Sequence, residues 1–239
     1  MISISQRFKQ IQKRCLEISS EHNLAHIPSA LSMLEYVWLI SRHLNPKTWN
    51  VILGKPFGSG AYYAAWEDTF GWQPKEYHEG LNSSNCPFVA FGEQTIGNAL
   101  GVAIGSALVS SKKVWCNLSD ASLQMGQTLE ALLFMLHHKQ GLGNLYVTID
   151  YNDYQVLDRI SNILDIKPII KLLKKAKINV LNLKNPKYKD FDIFDRANSL
   201  PTVIIIRTVK GAGIKTFEDN PVKYHYKTLK SDQIKDLLK

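Results

Sequence analysis

The sequence predicts an α/β fold, in which a mostly parallel sheet carries helices on both faces. From about residue 95 onward, segments of helical and of strand character alternate along the chain. The strand segments are continuous apolar runs, which is typical of parallel strands buried on both faces. Alternation of strands with helices is typical of the crossover connections that parallel strands require.

The N-terminal third is predicted to be mainly helical, because apolar residues such as Phe8, Ile11 and Cys15 recur at helical spacing. A glycine-rich loop at 54–60 follows a short apolar strand, and a longer loop is predicted at 71–92, where Gly, Pro and Asn are frequent. The predicted elements of this part are helices at 5–20, 29–43 and 61–70 and a strand at 49–53.

The rest of the chain is predicted to alternate regularly and to form a single domain over residues 1–239, because no linker or internal repeat interrupts it. Three glycines spaced by four, Gly97, Gly101 and Gly105, indicate close approach of another helix or of a ligand. The predicted helices are 95–110, 123–139, 167–176 and one near 188–198, and the predicted strands are 113–118, 144–149, 178–183 and 202–207.

Composition and charge restrict the classes of function. The formal net charge is +8, but the lysines are dispersed, so we expect a surface suited to anionic ligands or an acidic partner and no nucleic-acid binding. The polar N-terminus indicates no signal peptide, and the apolar stretch 96–109 is too short to span a bilayer, so a cytoplasmic protein without a membrane partner is expected. Cys15, Cys86 and Cys116 form no CxxC pair, and Cys116 is expected in the core.

Polar residues follow two neighbouring predicted strands. Asp120 follows the strand at 113–118, and Asn152 and Tyr154 follow the strand at 144–149. The carboxyl ends of parallel strands meet at one sheet edge, where α/β proteins bind ligands. A carboxylate, an amide oxygen and the Tyr154 carbonyl would suit Mg²⁺ that shares its shell with phosphates. Turn formation and helix capping are the alternative for these residue types.

These residues resemble the metal motif of transketolases, in the N-terminal domain that binds the diphosphate of thiamine diphosphate. The family pattern is Gly-Asp-Gly, roughly thirty residues, then Asn, and here Ser119-Asp120-Ala121 is followed by 30 residues and Asn152. Further segments resemble the family in the same order along the chain. They are Ala25–Ser32, Leu53–Phe57, Gln94–Leu100, Leu123–Gly126, Asp150–Gln155, Thr208–Gly213 and His225.

The resemblance implies a site for thiamine diphosphate and Mg²⁺ or Ca²⁺. It implies that Asp120, Asn152 and the Tyr154 carbonyl hold the metal, and that His26 and His225 act on the substrate as acid–base or hydrogen-bonding groups. It places Glu130 at a subunit contact. Residues implied to lie near the cofactor are Ile96, Gly97, Asp120, Ala121, Asp150, Asn152, Val156 and Lys210.

The resemblance also implies a partner. The family's pyrimidine-binding and C-terminal domains are expected on a separate transketolase-like subunit, in a dimer of heterodimers (a heterotetramer). The implied reaction is transfer of a two-carbon ketol unit between small sugar or sugar phosphate substrates, which belongs to carbohydrate metabolism. Two alternatives remain: a non-catalytic or regulatory subunit that keeps the fold, and another thiamine diphosphate enzyme, similar to deoxyxylulose-phosphate synthase or a 2-oxo acid decarboxylase.

Several positions depart from the family pattern. Both glycines of the metal motif are replaced, by Ser119 and Ala121, and side chains there are expected to crowd a tight turn. Phe57 stands where the family has a histidine, and Met125 where it has a glutamate. The loss of polar groups on the donor side indicates a substrate other than ordinary pentose phosphates, or lost catalysis.

Overall fold

The computed structural model describes residues 3–237, which fold into two compact units. The first, here called the helical unit, comprises the described parts of 1–42, 57–80 and 209–239. The second, the sheet unit, comprises 43–56 and 81–208. The chain passes between the units four times. The single domain over residues 1–239 stays a prediction.

Within residues 3–237 the structure contains nine α-helices, six strands and three short 3₁₀ helices. The helices are α1 (Ile4–Glu21), α2 (Ile27–Ser41), α3 (Gly60–Phe70), α4 (Ala99–Val109), α5 (Gly126–His137), α6 (Ile160–Ile163), α7 (Lys167–Lys175), α8 (Lys215–Asp219) and α9 (Ser231–Leu237). The strands are β1 (Trp49–Leu53), β2 (Val89–Gly92), β3 (Lys113–Ser119), β4 (Leu145–Tyr151), β5 (Asn179–Lys184) and β6 (Thr202–Arg207). The 3₁₀ helices are Ala121–Gln124, Lys139–Gly141 and Tyr188–Phe194.

All six described strands belong to one sheet, in the order β2-β1-β3-β4-β6-β5. Every neighbouring pair in that order is parallel. Alternate residues of β3, β4 and β6 enter one apolar core, as Val114, Cys116 and Leu118 of β3 do, together with residues of α4, α5 and α7. The parallel order brings the carboxyl ends of the strands to one edge of the sheet, and this edge positions the site described below.

The helical unit is built on close contact between its helices. Helix α1 begins with a capping box, in which the Ser3 hydroxyl accepts from the Gln6 backbone and the Gln6 side chain accepts from the Ser3 backbone. Gly60, at the start of α3, packs so tightly that an added Cβ would collide with the Ser19 hydroxyl of α1. A small apolar core that includes Leu16, Ile27 and Phe217 holds the segments of this unit together.

The predicted strands at 49–53 and 202–207 have the predicted bounds, and the α/β fold with a parallel sheet is confirmed. Three local predictions were wrong. The predicted loop at 71–92 contains β2, a four-residue edge strand that is too short to give a sequence signal. The predicted helix near 188–198 is a 3₁₀ helix over Tyr188–Phe194. Helix α4 starts at Ala99, so Gly97 precedes it and is not part of a helical glycine stripe.

The apolar stretch 96–109 forms mainly α4, which buries one side and exposes the other. Leu100, Ala103 and Ile104 are buried, whereas Val102 and Leu108 are 37% and 48% exposed. Between residues 3 and 237, no helix has both the length and the apolar character needed to cross a bilayer. One side of α4 therefore presents apolar side chains to solvent.

Candidate functional site

Polar side chains gather where five parallel strands end in the sheet unit. The strands are β1, β2, β3, β4 and β6. Each contributes at least one polar side chain at or just beyond its carboxyl end. These side chains are buried or partly buried, which is uncommon for charged residues without a binding or structural role. They are Glu93 after β2, Lys55 after β1, Asp120 after β3, Asp150 and Asn152 at the end of β4, and Thr208 after β6.

Asp120 is 1% exposed and accepts hydrogen bonds from backbone amides on both carboxylate oxygens. Oδ1 accepts from Ala121 N at 2.9 Å, and Oδ2 accepts from Asn152 N at 3.0 Å and Asp153 N at 2.7 Å. Burial, followed by the negative charge of Asp150, raises the pKa of Asp120 to about 7. The β3–β4 pairing, in which Ser119 lies opposite Asp150, brings these residues together as the sequence predicted.

Asp150 lies at the centre of a network that joins three strand ends. It is fully buried and forms an ion pair with Lys55, which is itself 7% exposed. The Thr208 hydroxyl donates to Oδ1 of Asp150, and Asn152 Nδ2 donates to Oδ2 at 3.1 Å. Neither Lys55 nor Thr208 was predicted to have a role. The sequence did offer one indication of such a role, since both residues follow the ends of predicted strands.

The oxygen atoms near Asp120 fit a divalent cation. The Asp120 carboxylate and the Asn152 amide oxygen are hard ligands of the type that Mg²⁺ and Ca²⁺ prefer. The amide of Tyr154 donates to Asn152 Oδ1 at 3.0 Å, which fixes the orientation of the side-chain amide. Asp153 turns the chain in the left-handed region, with φ of 66°. A nearby cation would favour ionised Asp120, opposing the effect of burial on its pKa.

The replaced glycines of the metal motif do not strain the turn. Among residues 3–237, the non-glycine residues with positive φ are Asn23, His26, Asp153 and Asn185, so neither Ser119 nor Ala121 requires the conformation that favours glycine. Ala121 starts the 3₁₀ helix that Asp120 caps. The expectation that the side chains of Ser119 and Ala121 crowd the turn and the approach of a phosphate stays a prediction.

Three further predicted residues lie in loops of the sheet unit. Gly97 precedes α4 and has φ of 135°, a backbone conformation that residues other than glycine rarely adopt. Ile96 is half-buried and packs against the sheet core. Val156 is half-buried in the segment after Tyr154. Their predicted proximity to a cofactor stays a prediction.

Glu93 anchors the loop that contains Gly97. Its carboxylate accepts from Gly97 N at 3.2 Å, Asn98 N at 2.8 Å and Ala99 N at 2.7 Å, at the start of α4. Burial raises its pKa, and these three amides oppose that effect. Glu93 was not predicted from the sequence, because its partners lie in a loop whose conformation no local pattern indicates.

We expect Glu93→Ala to lower the free energy of unfolding by about 1–3 kcal/mol, because the substitution leaves buried amide donors without an acceptor. Urea denaturation followed by circular dichroism measures this loss. Glu76→Ala is the matched control, since the Glu76 side chain is 82% exposed. Equal stability of the two variants would contradict the role assigned to Glu93.

The predicted histidines lie in the helical unit. His26 Nδ1 is 2.5 Å from Glu79 Oε1, and Lys210 Nζ is 2.7 Å from His225 Nδ1. The two imidazole rings meet edge to face, with centroids 5.0 Å apart. Phe57, in place of the family histidine, lies 5.3 Å from the His26 ring. The structure thus groups His26, His225 and Lys210 in the helical unit, and the predicted metal ligands in the sheet unit.

His26 has an unusual backbone conformation. Its φ of 55° and ψ of 27° are left-handed, and it immediately precedes α2, where Pro28 occupies the first turn. Non-glycine residues adopt this region at a cost, although histidine does so more readily than most, and such residues are enriched at functional sites. The Glu79 carboxylate also accepts from Ala25 N at 2.5 Å, so it holds both the side chain and the backbone of this turn.

Fold and site together define a class: an α/β protein whose acidic and amide side chains gather at the carboxyl edge of a parallel sheet. The chain is 27% identical over 210 residues to one of the subunits of the apulose-4-phosphate transketolase of Actinobacillus succinogenes, covering 80% of this chain and 75% of that one. It is 26% identical over 213 residues to the transketolase of Pongo abelii, covering 81% of this chain and 33% of that protein. No protein-family model matches it.

The fold is that of solved transketolases. The structure of transketolase from Campylobacter jejuni matches with a TM-score of 0.74 at 19% identity, over 99% of this chain and 42% of that one. The chain thus spans about two fifths of that enzyme and a third of the Pongo abelii relative. The resemblance to transketolases predicted from the sequence is confirmed, and the relatives include a transketolase that is divided into subunits.

Proposed function

We propose that this chain is the diphosphate-binding subunit of a split transketolase-like enzyme, which transfers a two-carbon ketol unit between sugar or sugar phosphate substrates. The observation that carries the proposal is the buried set of Asp120 and Asn152 at the sheet edge, in a chain similar to one subunit of a transketolase. A non-catalytic subunit would not need to keep both ligands at the spacing of the family motif.

In this proposal Asp120, Asn152 and the Tyr154 carbonyl hold Mg²⁺ or Ca²⁺. Bound thiamine diphosphate supplies a thiazolium ring that stabilises a carbanion, and the protein binds and orients it. Ala121, Asp150 and Val156 lie near the diphosphate, while Ile96 and Gly97 serve other parts of the cofactor site.

The charge around Asn152 supports an anionic ligand. A cavity of about 290 Å³ adjoins Asn152, and its lining includes two basic side chains, Lys167 and Arg207, and one acidic side chain, Asp153. Arg207 also stacks over the Tyr151 ring, with its guanidinium carbon 3.8 Å from the ring centroid. Basic groups beside oxygen ligands for a cation match the charge pattern of a metal diphosphate.

His26 and His225 are assigned to the substrate, as hydrogen-bonding or acid–base groups. The Phe57 ring against His26 replaces a polar group with an apolar surface, which favours a donor or acceptor with fewer hydroxyl contacts on that side. Apulose 4-phosphate, the substrate that names the Actinobacillus succinogenes relative, is therefore a suitable first test compound.

The exposed side of α4 and α5 supports a protein partner. A groove of about 330 Å³ lies between these helices and is lined mainly by apolar and small residues, among them Gly101, Gly105, Leu108 and Phe134. A Cβ built on either glycine would meet no atom within 4 Å, so the groove has room for side chains from outside the described residues. We assign this face to the partner subunit, in a dimer of heterodimers located in the cytoplasm.

The test is reconstitution with a separate chain that resembles the pyrimidine-binding and C-terminal domains of transketolases. Calorimetry should detect binding of thiamine diphosphate and Mg²⁺ by the complex, and turnover should be measured with apulose 4-phosphate and xylulose 5-phosphate as donors. Binding with turnover supports the enzyme. Binding without turnover of either donor would favour the non-catalytic subunit, whereas absence of binding would overturn the cofactor site.

A further inference from the structure

We propose that Glu79 and Lys210 are positioning residues that hold His26 and His225 in opposite neutral tautomers. In this arrangement one imidazole offers a proton acceptor at Nε2, and its neighbour offers a proton donor at Nε2. The catalytic meaning of the pair rests on the proposed function, but the tautomers themselves do not. The sequence predicted no role for Glu79, and it assigned Lys210 to the cofactor.

The contact with Glu79 determines the tautomer of His26. An ionised carboxylate can only accept hydrogen bonds, so Nδ1 of His26, 2.5 Å from Glu79 Oε1, must carry a proton. The second carboxylate oxygen accepts from Ala25 N, which prevents Glu79 from turning away. His26 is 6% exposed, so water competes little for this bond. In the neutral ring, Nε2 then holds a lone pair.

The contact with Lys210 determines the opposite tautomer for His225. An ammonium group can only donate, so His225 Nδ1, 2.7 Å from Lys210 Nζ, must accept. Lys210 is 3% exposed, which restricts its ammonium to partners within the protein. The backbone amide of Gly211, next in the chain, donates to the Pro28 carbonyl at 2.8 Å and fixes this segment against the start of α2. In the neutral ring of His225, Nε2 therefore carries the proton.

The two rings are neighbours, so their opposite tautomers act on the same small region of the helical unit. Their centroids are 5.0 Å apart at an interplanar angle of 76°, and the Tyr226 ring packs edge-on against His26 with centroids 4.5 Å apart. A sugar hydroxyl is both a donor and an acceptor. A hydroxyl that meets His26 would therefore donate to Nε2, whereas one that meets His225 would accept from Nε2, so the two tautomers set opposite hydrogen-bond directions on neighbouring rings.

The proposal is tested on the full chain alone, labelled with ¹⁵N-histidine, by long-range ¹H–¹⁵N spectra at pH 8, where ordinary imidazole is neutral. Signals are assigned by their loss in His26→Gln and His225→Gln. We expect the Nδ1–H form for His26 and the Nε2–H form for His225. The same tautomer in both rings, or a doubly protonated His26, would overturn the proposal.

Substitutions then test the cause. Glu79→Met should release His26 toward the Nε2–H form, whereas the exposed control Glu76→Met should leave it unchanged. Lys210→Glu replaces a donor with an acceptor and should convert His225 to the Nδ1–H form. If that buried charge reversal unfolds the chain, Lys210→Met, which removes the donor at similar length, should instead shift the His225 Nδ1 resonance. Unchanged histidine signals in these folded variants would refute the assignment.

Activity of the reconstituted complex gives a separate result. Glu79→Met should lower kcat by about 100-fold with little change in cofactor affinity. With the proton of His26 on Nε2 instead of Nδ1, the ring no longer acts as an acid–base group, whereas the metal ligands are unchanged. Glu76→Met should retain full activity. Predicted tautomers in a complex that binds no thiamine diphosphate would overturn the proposed function and leave the tautomer assignment standing. A fully active Glu79→Met complex would refute the catalytic meaning of the pair.

Discussion

Asp120→Asn is expected to weaken binding of Mg²⁺ and thiamine diphosphate by the reconstituted complex by at least about 100-fold, more than is typical for the loss of an outer-shell partner. The substitution removes the charged ligand but keeps an oxygen that can accept from the backbone amides of Asn152 and Asp153. The Ala121 amide would lose its acceptor, so the free energy of unfolding of the metal-free chain should fall by about 1–3 kcal/mol. Calorimetric titration and urea denaturation measure the two effects.

The neighbouring substitution Asp153→Asn is the matched control. Asparagine tolerates the left-handed backbone of this residue, whose φ is 66°. The Asp153 side chain pairs with Arg159 at 3.2 Å, in a contact exposed to solvent, and its loss should leave cofactor affinity nearly unchanged. Similar affinities for the Asp120 and Asp153 variants would remove Asp120 from the metal site.

Lys55→Met is expected to lower the free energy of unfolding by about 3–5 kcal/mol, the usual cost of removing one partner from a buried ion pair. Asp150 would remain fully buried without its lysine, in a region where burial and Asp150 already raise the pKa of Asp120 to about 7. Urea denaturation at pH 7 measures the loss. Lys112→Met, at an exposed position just before β3, is the control and should change stability by less than about 0.5 kcal/mol.

A double-mutant cycle separates the ion pair from the packing of the lysine chain. If the cost of Lys55→Met comes from uncompensated charge, the further change Asp150→Asn should recover part of the lost stability. The two residues would act independently if Asp150→Asn lowered the free energy of unfolding by the same amount in the Lys55→Met variant as in wild type. That result would contradict the role of Lys55 as counter-ion.

The sequence predicted the sheet well where apolar runs are long and continuous, as in β1 and β6, because burial on both faces leaves a strong composition signal. It failed where an element depends on its neighbours. Strand β2 has four residues and exists because it pairs with β1. The segment 188–194 was predicted as an ordinary helix, but it forms a 3₁₀ helix, a distinction that periodicity does not resolve.

The candidate site shows the same division. Asp120 and Asn152 were placed together from the sequence because adjacent parallel strands must end at the same edge. The contacts of Lys55 with Asp150 and of Glu79 with His26 were not predicted. These partners are 95 and 53 residues apart in the chain, and no strand pairing relates them by a simple rule. Side-chain contacts of this kind arise from the packed fold, and one sequence does not encode them in a local pattern.

The strand order has a consequence for how the chain reaches its native state during synthesis. In the described sheet β5 pairs only with β6, and β6 lies between β5 and β4. A nascent chain that ends before Thr202 therefore leaves β5 without a neighbour and β4 with an open edge. The helical unit is likewise incomplete until its segment 209–239 has been synthesised. At about 5–20 residues per second, these edges stay open for seconds, so native assembly must wait for synthesis of β6 and of the segment after residue 209. During that time the chain gains from chaperones that cover unpaired strands.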